Sequence, residues 1–303
     1  MPQTVLLTGG TGTIGHYLTQ LLLKQGFQVS LLSRTAQTIP NVKTYLWDVK
    51  RGQIDAQAIA TADHIIHLAG AGIADERWSD DRKREIIDSR TKSTDLIAQT
   101  LKATPHHVKS FISSSAIGYY GGDTKDRPMV ESSPAGSDFL AQVTRQWERS
   151  ADQITELGIR TVKIRTGVVL AMEGGALPKL VQPLKLGVGA PIGTGQQYIS
   201  WIHIHDICRI YLNALTDERW QGAYNGVAPG PVTNETLTRA IAEVIHRPIL
   251  LPRIPAFTIK LLFGELAVTV LGSSMVLNKR IKDETSFSYD FPELKPALVD
   301  LLD

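Results

Sequence analysis

The feature that most restricts the fold stands near the start. Three glycines spaced three apart, Gly9, Gly12 and Gly15, join the apolar run Val5 to Thr8 to the helix-patterned stretch Tyr17 to Lys24. Gly9 permits a tight turn, Gly12 lets the backbone meet a diphosphate with no Cβ in the way, and Gly15 lets the helix pack closely on the sheet. The amides of Thr13 and Ile14 then fall at the helix N-terminus, where unpaired N–H groups and the helix dipole favour an anion. A glycine triplet alone is a weak signal; set between a strand and a helix, it specifies a dinucleotide-binding turn.

The first half carries the alternation such a turn needs. Apolar runs at Val29 to Ser33, Asp63 to Ala69, Val108 to Ser114 and Ile159 to Arg165 are interleaved with helical patterns at Asp80 to Leu101 and Phe139 to Leu157, and Ser33 to Asp63 reads as a loop. That order predicts βαβ units and a parallel sheet. Beyond residue 170 come Gly- and Pro-punctuated segments, with helical patterns at Ile204 to Leu215, Asn234 to Ile245 and Ala256 to Leu271. The expectation is an α/β chain: a Rossmann-type doubly wound parallel sheet for NADP(H) over 1–170, with later sheet strands interleaved from about 196–228. A smaller, mostly helical C-terminal substrate lobe follows over 171–303, its helical terminal region spanning about 250–303.

The cofactor preference is written at the end of the second strand, Leu31-Leu32-Ser33-Arg34, where an NAD-selective site places an acid on the ribose hydroxyls. Arg34, with Ser33 beside it, is suited to the 2′-phosphate of NADP through charge-assisted hydrogen bonds; a solvated surface arginine is the plainer alternative. Asp48 is placed to accept from the adenine amino group, or is simply a solvated loop acid. The small residues of Leu68-Ala69-Gly70 suit a chain passing close to ribose and diphosphate, while His67 reads as a satisfied structural histidine.

The motifs together resemble the extended short-chain dehydrogenase/reductases, the group that includes the nucleotide-sugar epimerases. Thr8 to Gly15, His67-Leu-Ala-Gly70, Ser113-Ser-Ser-Ala116, Arg165-Thr-Gly167, Trp201-Ile-His-Ile-His-Asp206 and Tyr224-Asn225-Gly226 occur in that family's order. His67 to Ala74 with Arg77-Trp78, Ser89-Arg90, Ser115 to Gly121 and Trp147-Glu148 is similar to its 39U-like branch of epimerase family proteins, and Leu250 to Asp303 resembles the small helical domain of unknown function ending such chains. The resemblance implies that Arg90, on the helix bordering the cofactor, and Arg165 belong to the cofactor site. It implies that Ser115 matches the family's catalytic serine, a plain strand-end serine being the alternative, and that the chain assembles as a homodimer through two helices.

One departure bears on chemistry. The family's Tyr-x-x-x-Lys pair moves the proton, yet counting back from Trp147-Glu148 places Leu140 and Thr144 at those positions. A proton carrier must come from elsewhere: Tyr119 and Tyr120, just after the serine strand, are the candidates beside Ser115. Glu131 is a weaker acid–base candidate. Lys92 either lowers a tyrosine pKa across space or is a solvated helix charge.

On the substrate side, Tyr198 to Asp206 begins as an alternating strand and turns into a helix, so Trp201 and His203 share a face: Trp201 either stacks on a ring or packs in the core, and His203 is placed to touch substrate. Asp206 reads as a helix cap, and Pro178, Lys179 and the Gly187 to Gly195 loop form the opposite wall. No metal-ligand cluster, phosphate-binding lysine motif or hydrolase elbow is present. A lone cysteine, Cys208, excludes an intramolecular disulfide framework and reads as a buried thiol; with no leader pattern after Met1-Pro2, a reducing cytoplasm is expected. A net charge of +2 and the lack of a spanning apolar run argue against nucleic-acid and membrane partners, leaving a small-molecule substrate. The expected function is an NADP(H)-dependent oxidoreductase or epimerase-like activity on a small hydroxyl or carbonyl compound; the rival is a non-catalytic NADP(H)-binding sensor or regulatory protein.

Overall fold

The computed structural model describes residues 2–303; Met1, where the reading of a leaderless N-terminus begins, lies outside them. Along the chain come β1 (Thr4–Thr8), α1 (Thr13–Lys24), β2 (Gln28–Ser33), β3 (Val42–Asp48), β4 (Gln53–Ile54), α2 (Ala56–Ala60), β5 (His64–His67), α3 (Asp80–Ala103), β6 (Ser110–Ala116), α4 (Phe139–Thr155) and β7 (Arg160–Thr166). They are followed by β8 (Val168–Leu170), α5 (Leu177–Lys185), β9 (Tyr198–Ile199), β10 (Trp201–His203), α6 (Ile204–Thr216), β11 (Gly222–Gly226), β12 (Val232–Thr233) and α7 (Asn234–Val244). The C-terminal helices are α8 (Ala256–Phe263), α9 (Val268–Leu271), α10 (Lys279–Glu284) and α11 (Leu294–Leu302).

Eight strands form the main sheet in the order β11-β7-β6-β5-β1-β2-β3-β4, all parallel except the β3–β4 pair at one edge. Chain order reverses between β1 and β5, so a crevice opens at their carboxyl ends, where Thr8 lies opposite both His67 and Leu32. Open α/β sheets bind their ligands at such a switch point.

Alternation along β1 sends side chains to two cores. Val5 and Leu7 join Leu18 and Leu22 of α1 and Ile207 and Tyr211 of α6, while Leu6 joins Ile59 of α2, Ile97 of α3 and Ile154 of α4 on the other face. Each fully buried aliphatic side chain of this kind contributes roughly 1.5–3 kcal/mol. Burial on both faces is why these strands read as continuous apolar runs. The Ser33 to Asp63 segment, expected as a loop, instead carries β3, whose Tyr45 and Trp47 are buried while Lys43 and Leu46 are exposed.

A third core gathers Leu177 and Val181 of α5, Trp201 of β10, Leu237 and Ile241 of α7 and Leu298 of α11. Of the strands expected near 196–228, only β11 enters the main sheet; β10 pairs with β8 and β9 with β12 in two-stranded ribbons. The helix expected over Ala256 to Leu271 breaks at Gly264, whose φ of 59° lies in the left-handed region that interrupts a helix. Cys208 is buried where α6 crosses α1, its thiol donating to the Ile14 carbonyl at 3.7 Å, and burial pushes its pKa up.

Candidate functional site

The turn from β1 into α1 is as tight as its glycines predict. Gly9 has φ 69°, and a Cβ built on Gly15 would sit 2.2 Å from the Gly9 carbonyl oxygen, so both positions are dictated by the fold itself. Gly12 differs: a Cβ there would meet only the Gly9 oxygen at 3.4 Å, an ordinary contact, so the protein's own packing does not demand glycine. Gly12 is also the N-cap of α1 and brings no side-chain oxygen to the first-turn amides of Thr13 and Ile14. The bare backbone and donor amides therefore make an anion-sized cradle. Gly174 lies against this cradle, since a Cβ on it would come 2.4 Å from Thr13 Oγ1. Gly174 belongs to the Gly- and Pro-punctuated part of the sequence beyond residue 170, and nothing local shows that it folds back over a turn 161 residues earlier.

Thr8 fixes the other wall. Its hydroxyl accepts from the Leu68 and Ala69 amides, each at 3.1 Å, which leaves its hydrogen for Nδ1 of His67 at 2.8 Å. His67 Nε2–H then donates to Ser93 Oγ (3.1 Å), and burial holds the ring neutral with a pKa of about 3. The histidine is thus a structural pin that sets the Leu68-Ala69-Gly70 segment against Gly9. His64, bonded to Ser110 at 2.8 Å, is likewise held down to about 4 by burial. Below the ordinary value of 6.5 the unfolded chain binds protons that these two rings refuse, so stability is full above that pH and falls as pH drops through it. Between pH 6.5 and about 5 each ring costs about 2 kcal/mol. Urea unfolding across that range should show His67→Gln with a shallower decline than wild type; an unchanged slope would remove His67 from this account.

Arg90 stands beside that segment. Its guanidinium lies 5.0 Å from the Trp147 ring centroid, and Nη1 donates to the Ile86 carbonyl at 2.9 Å. A Cβ on Gly70 would reach Arg90 Cζ at 3.2 Å. No carboxylate pairs with it among the described residues, and burial, aided by the nearby Arg82, pushes its pKa down to about 10. A desolvated cation without an acid partner is a ready counter-charge for an anion.

At the far end of the crevice Arg34 is exposed just past β2 and makes no hydrogen bond or ion pair among the described residues. The Ser33 hydroxyl accepts weakly from the Thr35 amide (3.4 Å) and Gln37 Nε2 (3.5 Å). Asp48 ends β3 rather than sitting in a loop, and its Oδ1 caps a turn by accepting from the Arg51 amide at 3.1 Å.

The three expected catalytic residues fall into one buried polar network and its border. Ser115 donates to Glu148 Oε1 (2.7 Å); Arg165 forks onto the same carboxylate through Nε (2.7 Å) and Nη2 (2.9 Å). Nη1 of Arg165 donates to the Tyr120 hydroxyl (3.0 Å) and the Glu131 carbonyl (3.2 Å), and Tyr120 donates on to Asn225 Oδ1 at 2.8 Å. Burial raises the Tyr120 pKa against the opposing pull of Arg165. Arg165, expected beside the cofactor, thus spends its guanidinium inside the protein, and Tyr120 is 3% exposed. Tyr119 is different: half-buried, with its ring 3.4 Å from the Arg165 guanidinium carbon and its hydroxyl without a partner among the described residues. In the sequence Glu148 stands only as the neighbour of Trp147; its role depends on partners on β6 and β7.

Leu140 and Thr144 are buried on α4, Thr144 bonding back to the Leu140 carbonyl at 2.7 Å, so no proton carrier stands at either position. Lys92 is a solvated charge paired with Asp88 (2.7 Å), and Glu131 accepts the Asn225 amide at 3.1 Å. The substrate-side expectation for Trp201 and His203 is corrected, because the face they share is covered. Trp201 donates to the Gly230 carbonyl at 2.9 Å within the third core. His203 caps α6 through the His205 amide (3.1 Å) and stacks on Phe291 at 4.0 Å; its Nε2, 3.3 Å from Asp300, makes no hydrogen bond. Asp206 is not the cap: its carboxylate accepts the Asp290 and Phe291 amides, both at 2.9 Å. Open space lies instead where the Gly121–Asp123 turn faces the C-terminal helices, in a cavity of about 570 Å³ lined by Asp123, Lys260, Glu265, Val268 and Leu271. Lys179, expected on a substrate wall, borders a separate cavity of about 70 Å³ with Leu184 and Ile254.

Residues 5–225 match the NAD dependent epimerase/dehydratase family, and residues 254–301 match a domain of unknown function, DUF1731. Among similar proteins, the mouse epimerase family protein SDR39U1 is 35% identical over 98% of this chain and 99% of its own length. The Bacillus subtilis epimerase family protein YfhF is 34% identical over 98% and 97%. The crystal structure of human epimerase family protein SDR39U1 (isoform2) with NADPH superposes with a TM-score of 0.87 at 32% identity, covering 99% of each chain. Among the described residues no helix is long and apolar enough to cross a membrane, and no three His, Cys, Asp or Glu side chains are grouped to hold a metal.

Proposed function

The chain belongs to the NAD dependent epimerase/dehydratase family, and from that premise we propose that it binds NADP(H) and uses it in oxidoreduction of a small hydroxyl or carbonyl compound. The observation that carries the reading is Arg34: a cation without a partner among the described residues, beyond the end of β2 where an NAD site would hold an acid. In this reading Arg34 and Ser33 hold the 2′-phosphate, and Asp48 lies near the adenine. The amides of Thr13 and Ile14 receive the diphosphate, and Leu68 to Gly70 with Arg90 flank the rest of the cofactor. The human relative solved with NADPH supports the same choice. The cofactor supplies the hydride; the protein supplies orientation and a proton. Tyr119 carries that proton, and Ser115, its hydrogen already given to Glu148, positions rather than donates. Substrate enters the cavity beside the Gly121–Asp123 turn.

Calorimetry with NADPH and NADH, followed by absorbance at the reduced-nicotinamide band with a panel of carbonyl compounds, tests the proposal. NADPH-selective binding with oxidation is expected; absence of NADPH binding overturns it. The enclosed hydroxyls of Ser115 and Tyr120 and the apolar Leu140 favour a second reading, a non-catalytic NADP(H) sensor, and selective binding with no turnover across the panel would assign the protein to it. Arg34→Glu should weaken NADPH about a hundredfold, by loss of a charge-assisted bond and gain of a repulsion, while changing NADH little. Equal losses for the two nucleotides would remove Arg34 from the phosphate.

A further inference from the structure

Eight of the eleven large apolar side chains left exposed lie in only two segments, residues 186–188 and 250–263. Phe257 and Leu261, one turn apart on α8, are 71% and 75% exposed, and Leu186 and Leu250 are each 71% exposed. Ile259 is the only residue of α8 that is buried. The chain a few residues past the first segment meets the second: Ile192 bridges Ile254, the Gly193 amide donates to the Ile254 carbonyl at 2.8 Å and the Ile254 amide to the Pro191 carbonyl at 2.9 Å. A monomer rarely leaves so many large apolar groups in water without a partner to cover them.

The charge on these stretches is one-sided. No Asp or Glu occurs between Glu173 and Asp206 or between Glu243 and Glu265, whereas those intervals hold Lys179, Lys185, Arg247, Arg253 and Lys260. Arg253 is bonded to Glu235 at 2.6 Å; the other four make no ion pair among the described residues. A symmetric self-interface would press this face on its own copy and oppose like charges. An anionic surface would neutralise them while the apolar side chains enter its boundary.

We propose that α8 and the Leu186–Val188 loop tip form a docking face for an anionic lipid bilayer. The chain's net charge of +2 hides this local excess: of the nearby acids, Glu235 is paired with Arg253 and Glu265 with Lys83, which leaves Lys179, Lys185, Arg247 and Lys260 without a carboxylate partner among the described residues. The face is separate from the glycine cradle and does not depend on the nucleotide reading, although Lys260 also borders the cavity assigned to substrate, so the Lys185 variant is the one that tests the face alone.

The test is co-sedimentation of the full chain with phosphatidylcholine vesicles, with and without phosphatidylglycerol, while NADPH binding and circular dichroism monitor integrity. Binding to the anionic vesicles alone is expected, weakening as added salt shortens the screening length from about 10 Å at 0.1 M to about 3 Å at 1 M. Lys185→Glu and Lys260→Glu should each lower affinity at least about fivefold, the worth of one cation at such a surface. Phe257→Ser with Leu261→Ser should lower it more than tenfold with the fold unchanged. No binding to anionic vesicles, or binding that ignores both sets of variants, overturns the proposal. So does sedimentation equilibrium showing a dimer abolished by Leu261→Ser, which would give the face to a second copy.

Discussion

Glu148→Ala should cost about 3–5 kcal/mol of stability, because it strands a buried guanidinium. Arg165 is 4% exposed and has one carboxylate partner, reached by two of its nitrogens, with Ser115 donating to the same group. Removing the acid leaves the cation desolvated and uncompensated and orphans the Ser115 hydroxyl. The double change Glu148→Leu with Arg165→Met removes both charges, and should recover most of the loss. Urea midpoints of wild type, both single variants and the double variant decide it. A single-variant loss below about 1 kcal/mol would mean that water reaches Arg165 and that the network is not sealed.

Tyr119→Phe should lower turnover of an identified substrate by about a hundredfold to ten-thousandfold, the usual worth of a positioned proton carrier, with NADPH affinity intact. The contrast with its neighbour sharpens the test. Tyr120→Phe breaks bonds to Arg165 and Asn225, and should lower stability by about 1–3 kcal/mol before it alters chemistry. If Tyr119→Phe keeps full turnover, the proton comes from another group, and the cavity beside Asp123 becomes the place to look for it.

What could be read in the sequence was local. The cradle from Gly9 to Gly15 was legible because a turn, a helix start and their glycines are contiguous, and buried parallel strands announce themselves as apolar runs. Strand β3 escaped because only Tyr45 and Trp47 are buried, on one covered face near the sheet edge, while Thr44 and Asp48 on either side leave no long apolar run. Helix α5 escaped because Pro178 and Pro183 read as punctuation, though Pro178 falls in its first turn, where it costs nothing. The Ser115–Glu148–Arg165–Tyr120–Asn225 network was not legible, since its bonds join residues 17 to 105 positions apart. The same holds for Trp201 and His203: alternation paired them correctly, but only the tertiary fold shows Phe291 lying over His203. The exposed apolar face was invisible for a third reason, that whole-chain charge averages over surfaces.

The seating of the amides of Asp290 and Phe291 on Asp206 has a consequence for biosynthesis. Helix α6 packs on α1 just behind the glycine cradle, yet the carboxylate it buries gains those two donors from residues 84 and 85 positions later in the chain. While those residues are still in the ribosomal tunnel, Asp206 has Arg209 at 3.3 Å and water for company. A nascent chain that has not yet released Phe291 from the tunnel therefore lacks the two donors that satisfy the Asp206 carboxylate, so the burial of α6 against α1 waits on residues far downstream.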